Sequence, residues 1–101
     1  MDDLATAAVG KALGHPVRLH ILRLLAGQTE CRGAEVFSEL PLAQSTISEH
    51  LRVLKDAGLV SSRPMGNTMV YCLAPGAFAD FVAEVSGLAS AQPLCDTPDR
   101  S

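Results

Sequence analysis

Several kinds of protein are excluded by what this 101-residue chain lacks. It has three cysteines, Cys31, Cys72 and Cys95, widely spaced and odd in number, with no CxxC or CxC pair. A disulfide framework is therefore not expected, and free thiols are the plain reading. No eighteen apolar residues run unbroken, so no membrane span is expected. The opening MDDLATAAVGKALG carries two acids where a signal peptide carries cations, which makes the cytoplasm the expected location. There is no phosphate loop and no glycine elbow presenting a nucleophile. Ser45, Ser48 and His50 share one stretch, but no acid orients the histidine, so catalysis is not expected. Positive charge is scarce as well: the net charge is −3. The deficit lies at the ends, because Lys11 to Arg63 holds seven basic and five acidic residues, whereas only Arg100 faces six acids outside that window. A mildly basic centre follows, with weak non-specific affinity for DNA.

What is present is apolar. The chain is 48% hydrophobic with a mean hydropathy of +0.21, enough for one domain with one modest core and an apolar surplus that suits a dimer interface. Residues 3–13 read as a short helix with Leu4, Ala8, Val9, Ala12 and Leu13 on one side. Pro16 then stands at a first helical position, followed by Val17, Ile21, Leu22, Leu24 and Leu25 up to Gly27. Residues 27–32 read as a polar link and 33–40, GAEVFSEL, as a further short helix.

The run LPLAQSTISEHLRVLKDAGLV, Leu40 to Val60, organises the rest. Ile47, Leu51 and Leu54 form one apolar stripe, and Gly58 stops the helix. Gln44, Ser45, Ser48, Arg52 and Lys55 lie off that stripe and can donate hydrogen bonds. Short polar groups early in a helix reach base edges, and cations further along reach phosphates. By itself this is equally an ordinary amphipathic surface helix; its neighbours decide. A short helix precedes it across a brief turn, the helix-turn-helix order. After Gly58 come strand formers at 59–63, a turn cluster Pro64–Asn67 and TMVYCL at 68–73, which together predict a hairpin, or wing. Residues 77–90 are helical again, with Phe78, Phe81, Val82, Val85, Leu88 and Ala89 on a broad apolar face. Two such terminal helices would be covered by pairing with a second chain. Residues 91–101 read as a flexible tail after a domain spanning 1–90.

LGHPVRLHILRLL, QSTISEHLRVLKDAGLV and the GNTMVYCL strand together resemble the ArsR/SmtB family of bacterial repressors, over about Leu4 to Ala89. The resemblance implies a mainly α fold of about five helices with a small β-hairpin, a winged helix-turn-helix. It further implies a homodimer through the first and last helices that binds double-stranded operator DNA and is released by a metal ion or a thiol-reactive signal. Position by position, Gln44, Ser45, Thr46 and Ser48 fall where the family meets the major groove, and Arg52 and Lys55 on its phosphate side. Arg63 begins the wing, Gly66 is its tip, and Asn67 stands beside it. His50 is read as structural or phosphate-contacting.

Three departures weaken the expected grip on DNA. Ala43 stands where the family has a Ser or Thr cap, a loss of about 1 kcal/mol. Asn67 and Thr68 replace arginines past the wing glycine, and Cys72 replaces a common basic residue. Fewer cations release fewer counterions. The family's Cys-x-Cys arsenic site is reduced to Cys31, and its terminal-helix zinc site has Asp80 and Glu84 but no histidine in 75–101. The remaining candidate ligands are His15, His20, Cys31 and Cys95; one of the histidines with an acid from the first or last helix would make an inter-subunit site suited to nickel, zinc or cobalt and not required for folding. Cys31 and Cys95 also form a candidate redox pair if the tail folds back. The competing reading is a protein-interaction module that acts through a co-regulator protein. No membrane partner is expected.

Overall fold

Specific bonds open and close the helices. The structure, a computed structural model, describes residues 1–28 and 30–91. Helix α1 (Asp3–Leu13) starts where the Asp2 carboxylate accepts from the Ala5 amide at 2.8 Å. Helix α2 (Pro16–Ala26) has proline in its first turn, and the Nδ1 of His15 accepts from the Val17 amide at 3.1 Å. Helix α3 (Gln44–Asp56) begins at Ala43 with no side-chain cap, as its sequence predicts. Its end is well closed. The Gly58 amide donates to the Lys55 carbonyl and the Leu59 amide to the Leu54 carbonyl, the paired bonds of a Schellman motif. Gly58 takes φ +82°, a conformation that glycine adopts without a Cβ penalty. Helix α4 (Pro75–Ala89) starts two residues before its apolar spacing suggests, because Pro75 suits a first turn.

Three antiparallel strands, β1 (Arg32–Gly33), β2 (Val60–Met65) and β3 (Thr68–Leu73), form a sheet in the order β1-β3-β2. The predicted hairpin is present, and its loop is tighter than expected. Pro64 and Met65 belong to β2, which is an edge strand and tolerates a proline, so Met65 pairs with Thr68 across Gly66–Asn67 alone. The helix expected over 33–40 is corrected to strand β1 followed by a single 3-10 turn, Ala34–Phe37. Pro41 bars Leu40 from the helical region, so the segment has room for one turn only. The described residues thus contain four α-helices and one 3-10 turn instead of about five helices, and a three-stranded sheet instead of a bare hairpin. The expected tail lies, from 92 on, outside the described residues.

Val9 and Ala12 of α1, Ile21, Leu22 and Leu25 of α2, Phe37, the α3 stripe Ile47, Leu51 and Leu54, and Leu59 and Val60 form one buried cluster. Among the described residues no polar or charged side chain is buried. Helix α4 contributes Phe78 and Phe81 to the edge of this core, and Gly10 of α1 faces the Phe81 ring. Ala77 also packs on the core, whereas Val82 is 59% exposed and Leu88 77%, with Leu4 of α1 at 83%.

Candidate nucleic-acid interface

Burying Ile47, Leu51 and Leu54 turns the opposite side of α3 outward, where Ser45, Glu49, Arg52 and Asp56 follow at spacings of four, three and four. Gln44, Ser48 and Lys55 line one flank of this stripe, and Thr46 stands on the other. The wing rises directly from the end of α3 and carries Arg63 and Asn67. All eight candidate contact residues, Gln44, Ser45, Thr46, Ser48, Arg52, Lys55, Arg63 and Asn67, are exposed.

One of them is not a free cation. The Nε of Arg52 donates to Glu49 at 3.1 Å and its Nη1 to Asp56 at 3.0 Å, while its Nη2 donates to the second Glu49 oxygen. The hydrogen bond from Arg52 is the main cause holding the Glu49 carboxyl below its ordinary range, and that bond also raises Arg52. Two acids and two bases leave α3 with no net charge when His50 is neutral. The sequence signal for this clamp is the placement of Glu49 and Asp56 at i−3 and i+4 from Arg52, where such pairs form. Lys55 and Arg63 make no salt bridge among the described residues.

Behind α3 a second cluster fixes its orientation. Arg18 of α2 donates from Nε to the Ala12 carbonyl at 2.8 Å and from Nη2 to the Lys11 carbonyl at 3.0 Å, filling open acceptors at the end of α1. Its Nη1 lies 3.3 Å from the Nδ1 of His50, and the His15 and His50 ring centroids are 4.6 Å apart. A guanidinium only donates, so His50 accepts at Nδ1 and is neutral in this arrangement. Burial, then the charges of His15 and Arg18, lower the His50 pKa, against a smaller opposing effect of Glu49. His50 is thus half-buried in a junction of α1, α2 and α3.

The candidate effector residues are distributed otherwise than expected. His15 caps α2 and packs on His50, while His20 is exposed on α2, so the two do not converge. Among the described residues no three His, Cys, Asp or Glu side chains gather as a metal site. The reading of Cys31 and Cys72 as free thiols is corrected: they form a disulfide, with Cα atoms 4.6 Å apart. The β1–β3 register sets Arg32 opposite Tyr71 and so carries Cys31 to Cys72. Cys95, the partner proposed from sequence, lies outside the described residues.

A polar-faced helix after a short turn, followed at once by a β-wing, defines a winged helix-turn-helix protein of the DNA-binding class. Comparison with known proteins narrows this. Residues 15–62 match the family model described as bacterial regulatory protein, arsR family. The uncharacterized HTH-type transcriptional regulator MJ1325 of Methanocaldococcus jannaschii is 43% identical over 64% of this chain and 73% of its own length. Rv0081 of Mycobacterium tuberculosis, also an uncharacterized HTH-type transcriptional regulator, is 38% identical over 72% of this chain, which spans only 64% of that relative. A solution structure of a Mycobacterium bovis fragment, described as the homodimeric winged helix-turn-helix DNA-binding domain of Mb0332, is 36% identical. It superposes with TM-score 0.65 over 84% of this chain and 78% of that one. This chain belongs to the ArsR family.

Proposed function

We propose that this regulator is a repressor that binds an operator as a homodimer, paired through α1 and α4. The observation that carries the reading is the outward face of α3 beside the wing, which exposes all eight polar candidates on one unit. Gln44, Ser45, Thr46 and Ser48 reach base edges in the major groove, and Lys55, Arg52 and Arg63 meet phosphates. Dimerisation is supported by the uncovered Leu4, Val82, Val85 and Leu88, which no part of the described chain packs over, and by the homodimeric Mycobacterium bovis relative. Intrinsic affinity is weak, because Arg52 is shared with two carboxylates and the wing carries Arg63 as its sole charge. The protein acts in the cytoplasm, where operator DNA lies.

Its effector is a metal ion or a thiol-reactive signal. The test is fluorescence anisotropy on the DNA upstream of its gene, across a salt series. Arg52→Ala should weaken binding by roughly 1 kcal/mol and make the log–log salt slope shallower by about one. Binding that stays nanomolar at physiological salt would remove the claim of weak affinity. No specific binding by the dimer in any condition would remove the repressor reading.

A further inference from the structure

The bond between Cys31 and Cys72 joins two residues 41 apart in sequence, and that interval contains the 3-10 turn, α3, β2 and most of β3. All eight candidate DNA-facing residues, from Gln44 to Asn67, lie inside the covalent loop it closes. The bond ties the strand that enters the helix-turn-helix to the outgoing strand of the wing. Just beyond it the Phe37 and Tyr71 rings meet edge-on with centroids 5.8 Å apart, so the tie continues into the core. Both cysteines are only partly buried, and both line one open cleft of about 230 Å³ beside Leu25, Gln28 and Tyr71. A small reagent can therefore reach the sulfurs from solvent.

We infer that Cys31 and Cys72 are a reversible thiol–disulfide site for a small two-electron oxidant, and that its oxidation state sets how firmly the DNA-reading unit is held together. The reasoning rests on the repressor reading for its effect on DNA, but not for the chemistry. A protein that meets bacterial DNA works in a reducing compartment, where a disulfide is more often transient and sensing than structural. With a hydroperoxide, one thiolate attacks the peroxide oxygen and releases an alcohol, leaving a sulfenic acid. The second thiol then displaces water from it, so two thiols and one hydroperoxide yield one disulfide, one alcohol and one water. With a low-molecular-weight disulfide, two successive exchanges release two small thiols. Excess dithiol reverses either path. Closing the loop lowers the freedom of α3 and the wing relative to each other before DNA is met, so the oxidised protein binds more tightly.

The test treats the full chain with dithiol, with cumene hydroperoxide, or with oxidised glutathione, and follows three readouts. Titratable thiols should fall from three to one, with tryptic mapping placing the bond at Cys31–Cys72. Amide hydrogen exchange across 31–72 should slow on oxidation. Affinity for upstream DNA should rise about three- to tenfold. Cys95→Ser should keep all three responses, whereas Cys31→Ser and Cys72→Ser should behave as the reduced protein and still show its helical circular dichroism. Oxidation by either reagent supports the site and identifies the source. The inference is overturned if neither reagent forms the bond, if Cys95 supplies the partner, or if exchange and DNA affinity are the same in both states. If no state binds DNA while thiol count and exchange still respond, the repressor reading has failed and the thiol site stands.

Discussion

Helices α3 and α4 are of similar length, 13 and 15 residues, and both carry apolar side chains at helical spacing. The chain itself covers those of α3: Ile47, Leu51 and Leu54 lie under α1, α2 and the sheet, and a polar face is left outward. Helix α4 is apolar on more sides than one chain can cover, and none of its residues is fully buried. A narrow stripe closes a helix into its own domain, while a broad one leaves area that only another surface can take. The first helix thereby keeps a polar face toward solvent and the second an apolar one.

The largest test of this contrast is Leu54→Ala, which removes a fully buried side chain and should cost about 2–5 kcal/mol in urea unfolding. A loss below about 1 kcal/mol would mean that the stripe is not part of the core. Next is Leu88→Glu on α4. It should leave monomer circular dichroism unchanged but weaken dimerisation by at least about 2 kcal/mol, some thirtyfold, in sedimentation equilibrium. An unchanged dimer would place the pairing surface elsewhere. Ala43→Ser should add about 1 kcal/mol to unfolding stability by capping α3, with no effect on dimerisation.

The smallest effect is the pH response of the buried side of α3. His50 has a pKa below the ordinary 6.5, chiefly from burial, so as pH falls through that value the unfolded chain binds a proton that the folded one refuses. Stability is therefore full above pH 6.5 and declines from there down through the lowered folded value. His50→Gln should flatten the fall in melting temperature between about pH 7 and 5. An equal fall in the variant would assign the effect to other groups.

The helices were legible because their signals are local. The bounds of α1 were readable from its apolar spacing, and α3 was readable from its stripe and Gly58. What escaped depends on distant partners. Strand β1 is two residues long and exists only by pairing with β3, so 33–40 looked like one more helix. The same pairing, and nothing near either cysteine in sequence, brings Cys31 to Cys72. The role of Arg18 has no local signal, because its acceptors belong to another helix. The Arg52 clamp is the exception: the spacing of Glu49, Arg52 and Asp56 signals it locally.

Gly58 is also a meeting point. A side chain there would come within 3.4 Å of the Cβ of Ala77 on α4, while the same residue ends α3 and Leu59 leads into β2. Helix α3, the wing and α4 thus converge within the width of one hydrogen-for-methyl exchange. A side chain at Gly58 would therefore strain the end of α3 and press on α4 at the same time.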